Sequence, residues 1–153
     1  MKIIKGFQAG VWWLVLLVLA AFSGLGATPP IIQLQYVSRP VAAGQSGNLM
    51  IRFKISDGFK IPKQPSPKVQ LMSSADLEVQ GNFLLMEEGT GKDPAYFNAL
   101  RPLSVQLTPS RTARRGQHLL EGKFIYFYCS EKDKYCSRSV ENLQIPVEVA
   151  DEK

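Results

Sequence analysis

The chain of 153 residues has few of the side chains on which most catalytic and metal sites depend: one histidine, His118, and two cysteines, Cys129 and Cys136. A multi-histidine metal site is therefore excluded, and no serine stands in a nucleophile-elbow pattern. The glycines of EEGTGK neither precede a helical pattern nor lie in a βαβ unit, which argues against a phosphate-binding loop. Adjacent carboxylates such as Glu87 and Glu88 are more often solvated than bound to a cation. The sequence implies no cofactor and no metal.

Long apolar runs are absent except near the N-terminus. There, Lys2 and Lys5 precede an apolar run from Val11 to Phe22, and small residues follow it. This is the pattern of a secretory signal peptide, with cleavage after Ser23 or Ala27. The run is shorter than the roughly 20 residues of a membrane-spanning helix, so an uncleaved membrane anchor is the less favoured alternative.

Export determines the expected location and redox state of the domain. We expect residues 1–27 to be the signal peptide and residues 28–153 to form one periplasmic domain, attached to the inner membrane only through an uncleaved signal. Disulfides persist in that compartment, which disfavours a reduced zinc-binding pair. Without the two lysines of the signal, 18 basic side chains against 13 acidic ones become a net charge of about +3. We therefore expect no binding to nucleic acid.

A basic cluster lies in SRTARRGQH. It holds Arg111, Arg114, Arg115 and His118. Such a cluster is most often a solvated loop, and contact with anionic lipid or an acidic partner is the alternative function.

Helical periodicity is missing outside the N-terminal run, whereas apolar residues recur with a period of two. Leu49, Ile51 and Phe53 alternate with polar residues, and the pair Asp57-Gly58 follows as a turn. Other extended segments are IIQLQYVS, KVQLMS, DLEVQ, NFLLM, PLSVQLT, HLLEGKFIYFYC and LQIPVEV. Short strands with turns between them predict an all-β protein, an antiparallel β-sandwich of immunoglobulin-like kind.

Two segments interrupt this series of strands. Prolines 62, 65 and 67 remove backbone donors, so KIPKQPSPKVQL is expected to be a crossing loop or an edge and not a central strand. Residues 87–101, EEGTGKDPAYFNALR, contain two glycines and a proline and predict a long irregular loop. Loops of this length in compact domains are often functional.

Cys129 and Cys136 stand in FIYFYCSEKDKYCSRS, at the end of an aromatic strand and across a charged turn. The spacing allows a strand to end, turn and return, so the two residues can come within disulfide distance. A structural clasp and a redox pair both fit. Spacing and charge alone favour the clasp.

The same segment resembles the N-terminal periplasmic domain of the DsbD thiol:disulfide interchange protein. The resemblance lies in the strand FIYFYC, the short polar loop, the aromatic-cysteine pair YC and the closing strand LQIPVEV. Upstream, EEGTGKDPAYFNALRPLSVQL and ISDGFKIPK are similar to that family's acidic loop and to an early strand exit. The resemblance extends over residues 30–150, and the cysteine segment is its specific part.

The resemblance implies an immunoglobulin-like fold and a thiol-disulfide oxidoreductase of the protein-disulfide reductase type. Cys129 and Cys136 would be the exchanging pair, with Cys136 forming the mixed disulfide. Partners would be periplasmic thioredoxin-like proteins and a membrane electron donor acting in trans. Family members place aromatic side chains over the cysteines, and here Tyr96 or Phe97 would have to supply them. The alternative function is a non-catalytic binding module that has a structural disulfide and contacts its partner through residues 87–101.

Overall fold

The computed structural model describes residues 30–79 and 81–151, and the expected signal peptide lies outside them. Within these residues every regular element is a strand. They contain no helix long and apolar enough to span a membrane. The strands are β1 (Ile32–Ser38), β2 (Val41–Ala42), β3 (Gly47–Ile55), β4 (Phe59–Pro62), β5 (Lys68–Met72), β6 (Leu77–Val79), β7 (Asn82–Leu84), β8 (Tyr96–Phe97), β9 (Leu103–Pro109), β10 (Gly116–Ser130) and β11 (Cys136–Ala150).

The strands form two sheets. The first has the order β1-β3-β9-β6, and the second has the order β2-β11-β10-β4-β8, with β5 pairing β10 and β7. All pairs are antiparallel except the short contact of β2 with β11. The predicted fold class, an all-β sandwich of immunoglobulin-like kind, is confirmed.

A single apolar core fills the space between the sheets. Leu49, Ile51 and Phe53 of β3 face it, as their period of two predicts, although Phe53 is only partly buried. From the opposite sheet, Phe124 of β10 packs against Phe53 with ring centroids 5.4 Å apart, and against Tyr126 at 4.6 Å. Because Phe124 has no exposed surface, its contacts join the two sheets.

The longest pairing in the molecule is the hairpin of β10 and β11. Its register runs without interruption from Gly116 opposite Val149 to Cys129 opposite Cys136. The sequence prediction placed the start of the last strand near LQIPVEV, which is wrong, because β11 begins at Cys136. The segment SRSVEN is polar because only one face of it is covered, and polar residues there concealed the strand.

The proline-rich segment was predicted to be a crossing loop or an edge, but its N-terminal end belongs to an internal strand, β4. β4 lies between two strands, pairing β10 through Phe59 and Lys60 and pairing β8 through Ile61 and Pro62. Different residues of β4 thus pair on its two sides. Pro62, which has no backbone N–H, is therefore not required to donate a hydrogen bond to β10. Residues 63–67 cross from β4 to β5, and both strands pair with successive parts of β10, as the crossing-loop prediction requires.

β5 approaches β10 too closely for a side chain at one position. A Cβ atom on Gly122 would lie 2.5 Å from the carbonyl oxygen of Gln70. Glycine is therefore required in the middle of β10, where it would otherwise weaken a strand.

The aromatic strand FIYFYC is covered unequally on its two faces. Phe124 and Tyr126 are buried on the inner face, whereas Ile125, Phe127 and Cys129 on the outer face are only half-buried. The outer face of β10 is thus partly open to solvent, and it is the face that carries the cysteines.

We expect Phe124→Ala to lower the free energy of unfolding by about 3–5 kcal/mol, because it removes a fully buried ring between the sheets. The matched control is Val140→Ala on β11, where the side chain is 48% exposed, with an expected change within about 0.5 kcal/mol. Chemical denaturation followed by circular dichroism measures both. Equal losses in the two variants would contradict this description of the core.

Candidate functional site

The two cysteines form a disulfide at the end of the β10–β11 ladder. Their sulfur atoms are 2.01 Å apart and their Cα atoms 4.0 Å apart. The next residue, Ser130, donates its N–H to the carbonyl oxygen of Tyr135 at 2.8 Å, so the cysteines occupy the adjacent non-hydrogen-bonded pair. Side chains in such a pair are directly opposed on one face of the sheet, which here is the outer face. The expected pairing of Cys129 with Cys136 therefore occurs.

The two ends of the disulfide differ in exposure. Cys129 is half-buried on β10, an inner strand of its sheet, whereas Cys136 is exposed at the first position of β11. Cys136 is therefore the more accessible of the two residues from solvent.

A lysine lies on the other side of Cys129. In the antiparallel pairing of β4 with β10, Lys60 is the residue directly opposite Cys129. Lys60, Cys129 and Cys136 therefore follow one another across three strands on the outer face. The Nζ atom of Lys60 is 3.0 Å from a carboxylate oxygen of Glu131 and 5.6 Å from the ring centroid of Tyr96. The hydrogen bond to Glu131 raises the pKa of Lys60, which keeps the ammonium charged at neutral pH.

The turn between the cysteines is held by Ser130. Its hydroxyl donates to a carboxylate oxygen of Asp133 at 2.8 Å and accepts the N–H of Asp133 at 3.1 Å. Lys134 donates its N–H to the carbonyl of Ser130 at 3.1 Å and has a φ of 55°. These bonds order the turn independently of the disulfide.

Residues 87–101, the expected irregular loop, are held by Lys63, the residue that follows β4. The Nζ atom of Lys63 is 2.6 Å from a carboxylate oxygen of Glu87 and donates to the carbonyl of Asp93 at 2.6 Å. Glu87 also accepts the N–H of Asn98 at 3.2 Å. The hydrogen bond from Lys63, followed by that from Asn98, lowers the pKa of Glu87. The side chains of Lys63 and Glu87 are 24% and 16% exposed, so the ion pair is partly shielded from water.

The two aromatic residues of this loop point to different places. Tyr96 lies opposite Pro62, on the face of β4 that carries Lys60, and its ring contacts the Lys60 ammonium. Phe97 lies opposite Ile61 and is buried in the core. Of the two residues expected to cover the cysteines, only Tyr96 is on their side of the sheet.

Aromatic side chains continue from the core to the turn along the inner face of β10. The rings of Tyr126 and Tyr128 are 6.3 Å apart, and those of Tyr128 and Tyr135 are 6.1 Å apart. Tyr126 donates its hydroxyl to Glu141, and burial together with this hydrogen bond raises the pKa of Tyr126. A hydrogen bond with Tyr128 raises the pKa of Tyr135 as well. The raised pKa values of Tyr126 and Tyr135 keep both hydroxyls protonated at neutral pH.

His118 and the basic cluster lie at the opposite end of the hairpin. His118 pairs with Val147, far along β10 from Cys129. Its side chain is 15% exposed, with Nε2 2.6 Å from the carbonyl oxygen of Arg114 and Nδ1 3.4 Å from a carboxylate oxygen of Asp76. Arg115 forms an ion pair with Asp151. The histidine cannot act as a base for either cysteine.

No group of three or more histidine, cysteine, aspartate or glutamate residues in the described ranges, 30–79 and 81–151, is arranged to hold a metal ion. Lys60 and Lys63 were not identified from the sequence as parts of the site. Lys60 is distant from Cys129 along the chain, and only strand pairing brings the two together.

Comparison with known proteins adds little. No family model matches the chain, and no curated protein matches it. Among solved structures, the chain is similar to the crystal structure of the Neisseria meningitidis DsbD N-terminal domain in the reduced form, at 14% sequence identity and a TM-score of 0.28. The match covers 74% of this chain and 86% of that chain. A similarity this low does not establish the family of the chain.

We expect Glu87→Gln to loosen the loop, because it removes the charge that Lys63 holds. The lowered pKa of Glu87 means that the ion pair contributes stability above the usual carboxyl range and loses it as pH falls through the lowered pKa. At neutral pH, amide hydrogen exchange at Lys63, which donates to Ala95, should become severalfold faster in the variant. Acid should abolish most of this difference.

The matched control is Glu88→Gln, a neighbouring carboxylate that is exposed. It should leave exchange at Lys63 unchanged. Equal acceleration in both variants would contradict a specific role for the Lys63–Glu87 ion pair.

Proposed function

We propose that this domain is a thiol:disulfide interchange protein, which passes reducing equivalents between periplasmic thioredoxin-like proteins through Cys129 and Cys136. The observation that carries the proposal is the position of the disulfide on the outer face of the sheet, with Cys136 exposed and Cys129 half-buried. An electron donor in the membrane would act in trans. The apolar segment in residues 1–27 supports export as a signal peptide, with residues 28–153 as the mature domain.

The exchange needs only thiols and one disulfide. A thiolate of a reduced partner attacks the sulfur of Cys136, the bond between the cysteines breaks, and Cys129 leaves as a thiolate. The second thiol of the partner then attacks the mixed disulfide and releases Cys136. The partner is oxidised to a disulfide, and Cys129 and Cys136 are reduced to two thiols. In the reverse sequence Cys136 loses its proton and attacks the disulfide of an acceptor, and the Cys129 thiolate then attacks Cys136 in the mixed disulfide, which releases the reduced acceptor and restores the Cys129–Cys136 bond.

Several contacts support a bond that opens without unfolding the domain. The turn is held by Ser130 and Asp133, and the hairpin is held by its ladder and by buried residues such as Phe124. Closing so short a loop contributes only about 2–3 kcal/mol on the chain-entropy estimate. The rest of the structure therefore has little need of the disulfide as a clasp.

A second candidate function is a non-catalytic binding module. The observation that favours it is the attachment of residues 87–101 by the Lys63–Glu87 ion pair, which gives an ordered surface for a partner. In that case the disulfide would only stabilise the end of the hairpin.

Cys129→Ser is expected to trap a partner as a mixed disulfide with Cys136, because the resolving thiol is then absent. The partner probe is a purified thioredoxin-like protein whose resolving cysteine is replaced by serine and whose remaining active-site cysteine carries an aromatic thiol as a mixed disulfide, so that the aromatic thiol leaves when the Cys136 thiolate attacks. Non-reducing electrophoresis and mass spectrometry measure the adduct and identify the cysteine that carries it.

The matched control is Cys136→Ser, which leaves only the half-buried sulfur and should give at least tenfold less adduct in the same time. The double variant, Cys129→Ser with Cys136→Ser, should give none and should remain folded. Equal adduct yields from the two single variants would contradict the assigned roles. No adduct from either would contradict interchange and favour the binding module.

A further inference from the structure

The surroundings of the two sulfur atoms are electrostatically unequal. Cys129 has a neighbouring strand on each side, and the residue opposite it on β4 is Lys60. Cys136 has Cys129 on one side. On its other side, within the described part of the chain, β11 pairs only with β2, at Val149 and Ala150. A cation directly opposite is thus present for Cys129 and absent for Cys136.

The separation expected for such a pair is short. Directly opposed residues of antiparallel strands have Cβ atoms about 4.5–5.5 Å apart, which places a lysine side chain within reach of the neighbouring sulfur. The Lys60 ammonium donates to a carboxylate oxygen of Glu131, the second residue after Cys129, and lies 5.6 Å from the ring centroid of Tyr96.

Other charged groups also face Cys129. Arg138 of β11 is two residues beyond Cys136 and therefore lies on the same outer face, diagonal to Cys129. Glu131, from the turn, offsets part of the positive charge by pairing with Lys60. Asp93, from the loop, also interacts with Lys60 and is more distant. The two cations, Lys60 and Arg138, flank Cys129 from different strands, and Glu131 is the principal opposing charge.

We propose that Lys60 is a positioning residue that makes Cys129 the thiolate of the reduced pair, and that Glu131 limits this effect by binding the Lys60 ammonium. A nearby ammonium favours the negatively charged form of a thiol. The group that bears the charge when the disulfide opens is then Cys129, while Cys136 is the sulfur that partners attack.

This inference deepens the proposed interchange function and rests on it for its role in exchange, because a leaving thiol that ionises at lower pH departs faster. Lys60 acts through the sulfur of Cys129 and need not touch the partner. The charge effect itself exists in the isolated reduced protein, and it can therefore be measured without any partner.

The experiment is a pH titration of thiolate absorbance in the purified exported protein carrying Cys136→Ser, which retains Cys129 alone. Adding Lys60→Met should raise the midpoint of thiolate formation by about one unit, at the lower end of the effect of a close opposite charge because the site is partly exposed. Lys60→Arg keeps the positive charge and should restore most of the original midpoint. Glu131→Gln should move it in the opposite direction, to lower pH.

The matched control is Lys123→Met, another exposed lysine, on β10 itself and six residues from Cys129, roughly 20 Å along the strand. It should leave the midpoint unchanged. The same Lys60→Met change beside Cys129→Ser, which retains Cys136, should move that midpoint by less than half as much. Thermal unfolding of each variant establishes that it is folded before titration.

A shift in Lys60→Met no larger than in Lys123→Met would overturn the inference, as would an equal shift for both cysteines. Failure of the interchange function gives a different result. If the midpoints move as expected but the variant retaining Cys136 forms no mixed disulfide, then the electrostatic inference holds and interchange is wrong.

Discussion

The uninterrupted ladder between β10 and β11 is the constraint on which the rest of the site depends. It brings Cys129 opposite Cys136 and sets the face on which both sulfur atoms lie. A register slip of one residue would turn every side chain of a strand to the other face, so the buried Phe124 and Tyr126 fix the orientation of the cysteines. The packing of the core thus determines which face of the sheet carries the disulfide, although neither cysteine belongs to the core.

The turn and the loop near the disulfide are held by hydrogen bonds and an ion pair of other residues. The turn is closed by Ser130 and Asp133, and the neighbouring loop is closed by Lys63 and Glu87. None of these contacts is made by a cysteine. This is consistent with the proposed interchange, in which the disulfide is broken and remade.

Much of the fold could be predicted from the sequence, since its strands alternate clearly. Leu49 and Ile51 show the period of two that a half-buried strand requires, and Asp57-Gly58 marks the turn that follows, where Gly58 has a φ of 83°. The start of β11 could not be predicted, because SRSVEN has no apolar alternation and becomes a strand by pairing with β10. The internal position of β4 was concealed for a similar reason, since Pro62 argues against a central strand unless the partners on each side are known.

The two cysteines of the candidate site could be predicted from the sequence, whereas the residues around them could not. Two cysteines across a short turn are visible in one line of sequence, whereas Lys60 reaches Cys129 only through the pairing of β4 with β10. Tyr96 was expected near the cysteines and lies on their side of the sheet, beside Lys60, while Phe97 was expected there too and is buried in the core. His118 gave no local sign that Arg114 and Asp76 would cover it. Contacts between distant segments are set by topology, which a single sequence does not display.

Interchange is tested most directly by the reduction potential of the Cys129–Cys136 disulfide in the purified protein, measured by equilibration in glutathione or dithiothreitol buffers. Interchange requires a value between about −120 and −270 mV, the range of proteins that exchange disulfides. A value below about −300 mV would mark a bond that resists reduction, as structural disulfides do, and would contradict interchange as the function of this domain.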